Sequence, residues 1–281
     1  EVDHMVQPGE TLRARSRQVF CGGKGLNQST ALAKAGAEVY HAGIVGKDGT
    51  MLLDALNAAG ADTALVKIVE GESSHTFIQV NPEGQNSILF FADDNLAVTE
   101  DFIDEVINKF QPGDYILLQN ELNNTPLIME KAHHKGLKIV FNPSPIQAAI
   151  LSYPLHLVNI FLVNEIEGSL LSGKTTPEEI LSALIEKYPS SHIILTLGEK
   201  GAYYAHGSER VFQPAFPVEA IDTTAAGDTF TGFFLATFIK GKTVKESMEL
   251  AAKASSIAVT RKGAAPSIPK MREVIKCEDI G

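Results

Sequence analysis

Short apolar runs typical of β-strands alternate with helical stretches over most of this chain. Four of these runs, YILLQ, KIVF, IFLV and HIILTL, are almost continuously apolar, as expected for strands that are covered on both faces. Helical stretches such as TPLIMEKAHHKG and TPEEILSALIEKYP lie between them. This alternation indicates βαβ units. We therefore predict an α/β fold with a central, mainly parallel sheet and helices on both faces.

Helix boundaries are marked by prolines and glycines. Thr125 and Thr176 each precede a proline, an order that predicts a capping residue followed by the first helical position. Gly36, Gly60 and Gly136 follow helical stretches, where a left-handed residue commonly ends a helix.

One region interrupts the alternation. Residues 75–91 read HTFIQV, NPEGQN and SILFF, which predicts a β-hairpin because a polar turn joins two β-rich runs. A hairpin inserted in an α/β domain could form a lid or a dimer surface. No repeat or long linker appears, so we predict one domain spanning residues 1–281.

Composition narrows the possible partners. The chain has 281 residues and a formal net charge of -10, which disfavours nucleic acid. No stretch reaches the roughly 18 apolar residues of a membrane span. The two cysteines show no zinc-site spacing, and the N-terminus does not resemble a signal peptide, so we expect a soluble cytoplasmic protein. The absence of an initiating Met indicates an incomplete chain.

The most informative segment is DTTAAGDTFTG at residues 222–232, which lies between a β-rich run and an apolar helical run. Small residues at 225–227 allow a tight turn into a helix, and the first N–H groups of a helix form an anion site. Asp228 would lie in the first helical turn, where it could accept the proton of an attacking hydroxyl. The alternative is that Asp222 and Asp228 only cap the helix and the turn.

A second segment, GGKGLN at residues 22–27, precedes a helical stretch. Gln18 and Gly25 exclude a phosphate-binding Walker A loop, and the third glycine of a dinucleotide fingerprint is absent. Asn27 can donate and accept hydrogen bonds at once, which suits a polyol ligand. The alternative is a plain turn.

Together the two segments resemble the signatures of the ribokinase family of sugar and nucleoside kinases. GGKGLN matches the family's GGKG-x-N element, and DTTAAGD matches its DTxGAGD-like element, with alanine at 225 as ribokinases commonly have. Six shorter stretches also resemble the family, and the resemblance covers residues 7–269: PGET, QNE, FNPSP, VNEIE, LTLGEKG and VTRKGAAPSIP.

The resemblance implies a carbohydrate kinase that transfers the γ-phosphate of ATP to the 5-hydroxyl of D-ribose. Gly23, Lys24 and Asn27 would hold the sugar, Glu121 would accept hydrogen bonds from its hydroxyls, and Asp228 would be the general base. The backbone of Ala225, Ala226 and Gly227 would form the anion hole. Without the resemblance, Glu121 could be a solvated acid at a strand end. Another sugar or a nucleoside could be the acceptor, and a non-catalytic binding protein is a third possibility.

The resemblance also implies a nucleotide and two cations. Asn164, Thr196 and Gly198 would contact ATP, and Glu167 would act through water on Mg²⁺, which favours hard oxygen ligands. On structural grounds alone, Glu167 could be an exposed acid at a helix start, and Thr196 and Gly198 an ordinary turn. A potassium site would involve Asp222, Thr224, Val259, Lys262, Gly263 and Ser267; a plain loop closure is the alternative there.

The family resemblance also leads to expectations about the N-terminus, the lid and the oligomeric state. Ribokinases begin with a core strand and an element that supplies an aspartate to the sugar, and this sequence starts too late for either. The lid is expected to consist of the 75–91 hairpin with a contribution from residues 7–21. Apolar residues of the hairpin, Phe77, Ile78 and Val80, would suit a homodimer formed between lids.

Overall fold

The computed structural model describes residues 1–83, 85–91 and 97–276. Ten strands occur in these residues: β1 (Tyr40–Val45), β2 (Asp62–Ile68), β3 (His75–Val80), β4 (Asn86–Phe91), β5 (Tyr115–Gln119), β6 (Lys138–Asn142), β7 (Ile160–Asn164), β8 (His192–Thr196), β9 (Ala202–His206) and β10 (Glu209–Gln213). The helices of the described chain are α1 (Lys24–Lys34), α2 (Thr50–Ala59), α3 (Glu100–Ile107), α4 (Thr125–Lys135), α5 (Glu165–Ser172), α6 (Pro177–Lys187), α7 (Ala226–Ile239), α8 (Val244–Val259) and α9 (Met271–Lys276). No helix of this described part is both long and apolar enough to cross a membrane.

The main sheet has six strands in the order β10-β9-β8-β7-β6-β5. The strands β5 to β8 pair in parallel, while β9 and β10 continue the sheet in antiparallel pairing. The predicted mainly parallel sheet is therefore confirmed. The antiparallel β9–β10 hairpin was not predicted, because AYYAH and ERVFQ are short and mix polar with apolar residues.

Helices cover both faces of this sheet, as predicted. Ile193 and Leu195 of β8 belong to one hydrophobic core and Ile194 to the other, because successive side chains of a strand point to opposite faces. The core around Ile194 is closed by α1, α2, α7 and α8, and the opposite core by α3, α4, α5 and α6. Each fully buried aliphatic side chain stabilises the fold by roughly 1.5–3 kcal/mol.

The first two strands lie outside the main sheet. β1 and β2 pair in parallel with each other, and among the described strands neither pairs with the six-stranded sheet. The sequence of β1, YHAGIV, contains a histidine and a glycine and is only partly buried, unlike the continuously apolar β6, β7 and β8.

The predicted hairpin is present in the backbone. β3 and β4 pair antiparallel, from His75 opposite Phe91 to Val80 opposite Asn86; Gly84 lies outside the described residues. Residues 7–21, which we expected to add to the lid, form no strand; the segment contains Pro8 and Gly9, and its alternation of apolar residues is limited to Leu12 and Ala14. The backbone hydrogen bond from the N-terminal segment to the hairpin comes earlier, from Val2 to Val80.

Helix boundaries follow the sequence signals with one exception. Thr176 caps α6 as predicted, accepting the N–H of Glu179, and Gly60 and Gly136 adopt left-handed conformations at helix ends. Thr125 was predicted as a cap, but Asn124 occupies that position. The Thr125 hydroxyl instead donates to the carbonyl of Leu122 at 2.9 Å.

The helices α1 and α7 approach each other very closely at Gly232. A Cβ atom built on Gly232 would lie 2.3 Å from the Cβ of Ala31 and 2.7 Å from the backbone nitrogen of Leu32, so only glycine fits without movement. Gly232 lies one helical turn after Asp228, and Ala31 lies one turn after Asn27. This contact therefore sets the distance between the two predicted site segments.

Candidate active site

A cleft of about 250 Å³ opens where the parallel strands β6, β7 and β8 end and the helix α7 begins. Ligands of open α/β sheets bind at the carboxyl ends of the strands. The cleft brings together many of the predicted residues with several that were not predicted: Lys24, Asn142, Leu162, Val163, Asn164, Glu167, Thr196, Gly198, Thr224, Gly227, Asp228 and Thr231.

The residues of the predicted anion hole, Ala225, Ala226 and Gly227, lie at the start of α7. The N–H groups of Gly227 and Asp228 have no acceptor among the described residues, while the N–H of Ala226 donates to the carbonyl of Thr223 at 3.1 Å. The side chain of Ala225 is 2% exposed and packs in the core. Gly227 borders the cleft, and apart from its chain neighbours and its own helix no atom lies within 4 Å of where its Cβ would be. Gly227 and Asp228, whose N–H groups are free, therefore both lie at the border of the cleft.

The carboxylate of Asp228 is buried and held by two amides. Asn27 Nδ2 donates to its Oδ2 at 2.9 Å, and Gln28 Nε2 donates to its Oδ1 at 2.9 Å. Burial raises the pKa of Asp228 above its ordinary value, and the charge of Lys24 and the hydrogen bonds from Gln28 and Asn27 lower it in part. A buried carboxylate with a raised pKa in a cleft is suited to accept a proton.

Gln28 is a site residue that the sequence interpretation missed. It is 1% exposed, and its amide also contacts Gln119 at the end of β5 and Asn142 at the end of β6. A signal was available, because Gln28 follows Asn27 directly and both Gln119 and Asn142 are polar ends of apolar strands.

On one side of Asp228, the start of α1 faces Glu121. The backbone N–H of Lys24 donates to Glu121 Oε2 at 3.1 Å, and Gly23 precedes the helix with a φ of 98°. Glu121 is exposed as a residue, but the protein around its carboxylate desolvates it in part and raises its pKa, while the charge of Lys24 lowers it. The side-chain oxygen of Asn27 is buried and has no hydrogen-bond partner among the described residues. This corner offers carboxylate and amide oxygens, which are acceptors for hydroxyl groups.

On the other side of Asp228, α5 begins with a capping box. The Asn164 side chain accepts the N–H of Glu167 at 2.9 Å, and Glu167 Oε2 accepts the N–H of Asn164 at 3.0 Å. Glu167 is therefore a helix-start acid, but it is 3% exposed rather than solvated. Burial raises its pKa, while the N–H of Asn164 and the charge of Lys24 act in the opposite direction. A buried carboxylate at the cleft suits Mg²⁺, which favours oxygen ligands.

Thr196 and Gly198 lie beside this helix start. Thr196 ends β8 and its hydroxyl donates to the carbonyl of Val163 at 3.4 Å. Gly198 begins a short 3₁₀ turn with a φ of 57°. Both residues border the cleft.

Most of the predicted potassium residues converge around Asp222. Its Oδ1 accepts the N–H of Thr224 at 3.0 Å, and its Oδ2 accepts the N–H of Gly263 at 2.9 Å. The carbonyl of Val259 accepts the N–H groups of Ile221 and Asp222. Partial burial raises the pKa of Asp222, but the hydrogen bonds from Thr224 and Gly263 outweigh it and leave the pKa below its ordinary value.

The two remaining potassium candidates, Lys262 and Ser267, differ in how they interact with their surroundings. Lys262 lowers the pKa of Asp222 through its charge. Ser267 is buried, and its hydroxyl donates to the carbonyl of Ala264 at 2.8 Å. A carboxylate with several carbonyl oxygens is a donor set that a hard cation could use.

Three comparisons with known proteins show which proteins this chain resembles. The model of the family described as pfkB family carbohydrate kinase matches residues 1–271. The chain is 36% identical to the ribokinase of Staphylococcus aureus over 97% of the chain and 93% of that protein. It is 32% identical to the deoxyribokinase of Salmonella typhi over 96% of the chain and 92% of that protein.

A solved structure has the same fold. The structure of Arabidopsis thaliana ribokinase complexed with ribose and ATP matches with a TM-score of 0.84 and 29% identity, covering 98% of this chain and 92% of that one.

Proposed function

The chain belongs to the pfkB family of carbohydrate kinases, and on that premise we propose that it transfers the γ-phosphoryl group of ATP to the 5-hydroxyl of D-ribose. One observation carries the proposal. The buried carboxylate of Asp228 lies at a helix start with free N–H groups, between the acceptors of Glu121 and the polar strand ends at Asn164 and Thr196.

In the proposed reaction, Asp228 accepts the proton of the 5-hydroxyl as the sugar oxygen attacks the γ-phosphorus. A new oxygen–phosphorus bond forms, and the bond between the γ-phosphorus and the bridging oxygen of ATP breaks, which leaves ADP. The N–H groups of Gly227 and Asp228 stabilise the negative charge on the transferred group. Lys24 adds a positive charge, since it lines the same cleft as Glu167 and Asp228 and its backbone N–H donates to Glu121.

We assign the sugar to the corner formed by Gly23, Lys24, Asn27 and Glu121, and the nucleotide to the side formed by Asn164, Thr196 and Gly198. A sugar hydroxyl would give the unpaired oxygen of Asn27 a donor. Magnesium bound with ATP supplies positive charge next to the phosphates, and Glu167 would hold it through water.

The experiment is a measurement of ribose-dependent ADP release by the purified protein with ATP and Mg²⁺, together with ATP binding by calorimetry. We expect ADP release that saturates with D-ribose. A protein that binds ATP but shows no ribose-dependent ADP release would refute the proposed reaction.

A second acceptor is favoured by one observation, the 32% identity to a deoxyribokinase. Comparing kcat/KM for D-ribose, 2-deoxyribose, fructose and adenosine separates the two. A buried polar group that loses its hydroxyl partner lowers kcat/KM strongly, so we expect ribose to be preferred. An equal or higher kcat/KM for 2-deoxyribose would show that 2-deoxyribose, and not ribose, is the preferred phosphoryl acceptor.

We propose K⁺ as the second cation, at the loop around Asp222, Thr224, Val259, Lys262, Gly263 and Ser267. The loop leads directly into the turn at 225–227, so a cation there would hold the anion hole in place. We expect kcat to rise when K⁺ replaces tetramethylammonium at constant ionic strength, and Asp222→Asn to weaken this dependence. An identical kcat in the potassium and tetramethylammonium salts would refute the proposed K⁺ site.

We further propose a single domain with the β3–β4 hairpin as its lid, and a homodimer formed through the hairpin. Opposite faces of the hairpin carry exposed apolar side chains, Phe77 and Leu89 on one face and Ile88 and Phe90 on the other. A two-stranded hairpin is marginal by itself, and exposed apolar patches commonly mark interfaces. One face would cover the sugar, and the other would contact the second copy.

The test uses matched lysine substitutions on the two faces, Leu89→Lys and Ile88→Lys, with light scattering and the KM for ribose as readouts. We expect one variant to become monomeric and the other to raise the KM. If neither variant changes the mass, or the wild-type protein is a monomer, the dimer proposal fails.

Because ATP is the phosphoryl donor, we place the reaction in the cytoplasm, which localisation of the tagged protein would test.

A further inference from the structure

A continuous chain of side-chain amides connects the carboxylate of Asp228 to the ends of β5 and β6 and to a backbone carbonyl within β7. Gln28 Nε2 donates to Asp228 Oδ1 at 2.9 Å and to Asn142 Oδ1 at 3.1 Å. Gln119 Nε2 donates to Gln28 Oε1 at 2.7 Å. Asn142 Nδ2 donates to the carbonyl of Leu162 at 2.8 Å.

The direction of every hydrogen bond in this chain is determined by its two ends. The carbonyl of Leu162 can only accept, so Asn142 must direct its nitrogen there and its oxygen toward Gln28. The carboxylate of Asp228 also only accepts when ionised, so Gln28 must direct its nitrogen toward Asp228. Gln119 then donates to the oxygen of Gln28, which leaves the Gln28 amide with a single favourable orientation.

Gln28 is 1% exposed, and both its amide nitrogen and its amide oxygen are paired with protein groups, so its side chain acts through Asp228. We infer that Gln28 is a positioning residue for the catalytic base, held in place by Gln119 and Asn142. This inference rests on the proposed role of Asp228 as the base. Side-chain amides do not take up protons near neutral pH, so the proton of the substrate hydroxyl remains on Asp228.

The charged groups around Asp228 show which way its proton affinity moves when Gln28 is changed. Lys24 on α1 lowers the pKa of Asp228, as do the hydrogen bonds from Gln28 and Asn27. Asp228 in turn raises the pKa values of Glu121, which follows β5, and Glu167 on α5. Loss of the Gln28 N–H group would therefore raise the pKa of Asp228 further.

The experiment replaces Gln28 and Gln119 by methionine, which is similar in length and has no hydrogen-bonding amide. In Gln28→Met, we expect kcat to fall by about 10- to 100-fold, as for a small misplacement of a reacting group, with little change in the KM values for ribose and ATP. The acidic limb of the kcat profile should move to higher pH. Gln119→Met should give a smaller change in the same direction.

The double variant separates positioning from a general loss of packing. Because Gln119 acts through Gln28, the kcat of Gln28→Met/Gln119→Met should equal that of Gln28→Met alone. Multiplied losses would overturn the inference. Thr30→Val is the matched control on the same helix, since the Thr30 hydroxyl is buried without a partner among the described residues, and we expect wild-type kcat.

Two further outcomes are decisive. Wild-type kcat and an unchanged pH profile in folded Gln28→Met would overturn the inference while leaving the proposed reaction intact. If Gln28→Met does not fold, unchanged kcat and pH profile in Gln119→Met would do the same. Failure of the wild-type protein to phosphorylate ribose would instead count against the proposed function.

Discussion

Adding one methyl group at Gly232 should separate the two helices that carry the base and its amide partners. A Cβ at this position would lie 2.3 Å from Ala31 Cβ, where an ordinary contact begins at 3.4 Å. The helices α1 and α7 must therefore move apart by about 1 Å. Asn27 on α1 and Asp228 on α7 lie one turn before the contact, so this movement reaches the hydrogen bond between them.

The expected magnitude has two parts. Overpacking a core contact costs about 1–3 kcal/mol, which lowers Tm by about 2–4 °C per kcal/mol for a large domain. A displacement of ~1 Å in catalytic groups can lower turnover by about 10²-fold. We therefore expect Gly232→Ala to stay folded at 25 °C, with a lower Tm and a kcat reduced by about two orders of magnitude.

The assay measures kcat and Tm for Gly232→Ala, for Ala31→Gly and for the double variant. Removing the Ala31 methyl group relieves the 2.3 Å contact, but the Leu32 nitrogen at 2.7 Å and the Ala31 carbonyl carbon at 2.9 Å remain. The double variant should therefore recover only part of the activity. Gly43→Ala is a matched control, because its nearest neighbour would be His41 Nε2 at 3.9 Å. Wild-type kcat and Tm in Gly232→Ala would refute the reasoning.

Four other perturbations have expected outcomes. Asp228→Asn should lower kcat by about 10²–10⁴-fold with ATP binding nearly unchanged in calorimetry; near-normal kcat would remove Asp228 from the base role. Since burial raises the pKa of Asp228 and the base must be ionised, wild-type kcat should fall with decreasing pH at values above the ordinary aspartate range. Glu167→Gln should raise the Mg²⁺ concentration needed for half-maximal kcat more than it raises the KM for ribose. Burial lowers the pKa of His41 from 6.5 to about 4, so the unfolded chain binds this proton more readily and the free energy of unfolding should fall as pH drops from 6.5 to about 4. Urea unfolding should show a weaker dependence in His41→Gln across that range, and equal slopes would contradict this assignment.

Several parts of the site follow from local sequence. The small residues before Asp228 predict a tight helix start, and the apolar runs that end in Asn164 and Thr196 predict strand ends at one edge of a parallel sheet. Local patterns predict these positions because strand and helix periodicities depend on neighbours only a few residues away.

Other parts could not be predicted from local patterns. Glu167 was as consistent with an exposed helix-start acid as with a buried one, because burial depends on which elements pack over it. Residues 7–21 were expected to add to a lid and form no strand. The pairing of β1 with β2 outside the main sheet also depends on contacts between distant segments.

The sequence by itself determined the alternation of strands and helices in the parallel part of the sheet and the chemical types at the start of α7. Only the tertiary structure decided that Gln28 meets Asp228 across 200 residues of sequence and that its amide has one orientation. The physical reason is that a buried amide must pair with whatever donors and acceptors surround it. Those partners are brought together by the close packing of α1 against α7 at Gly232.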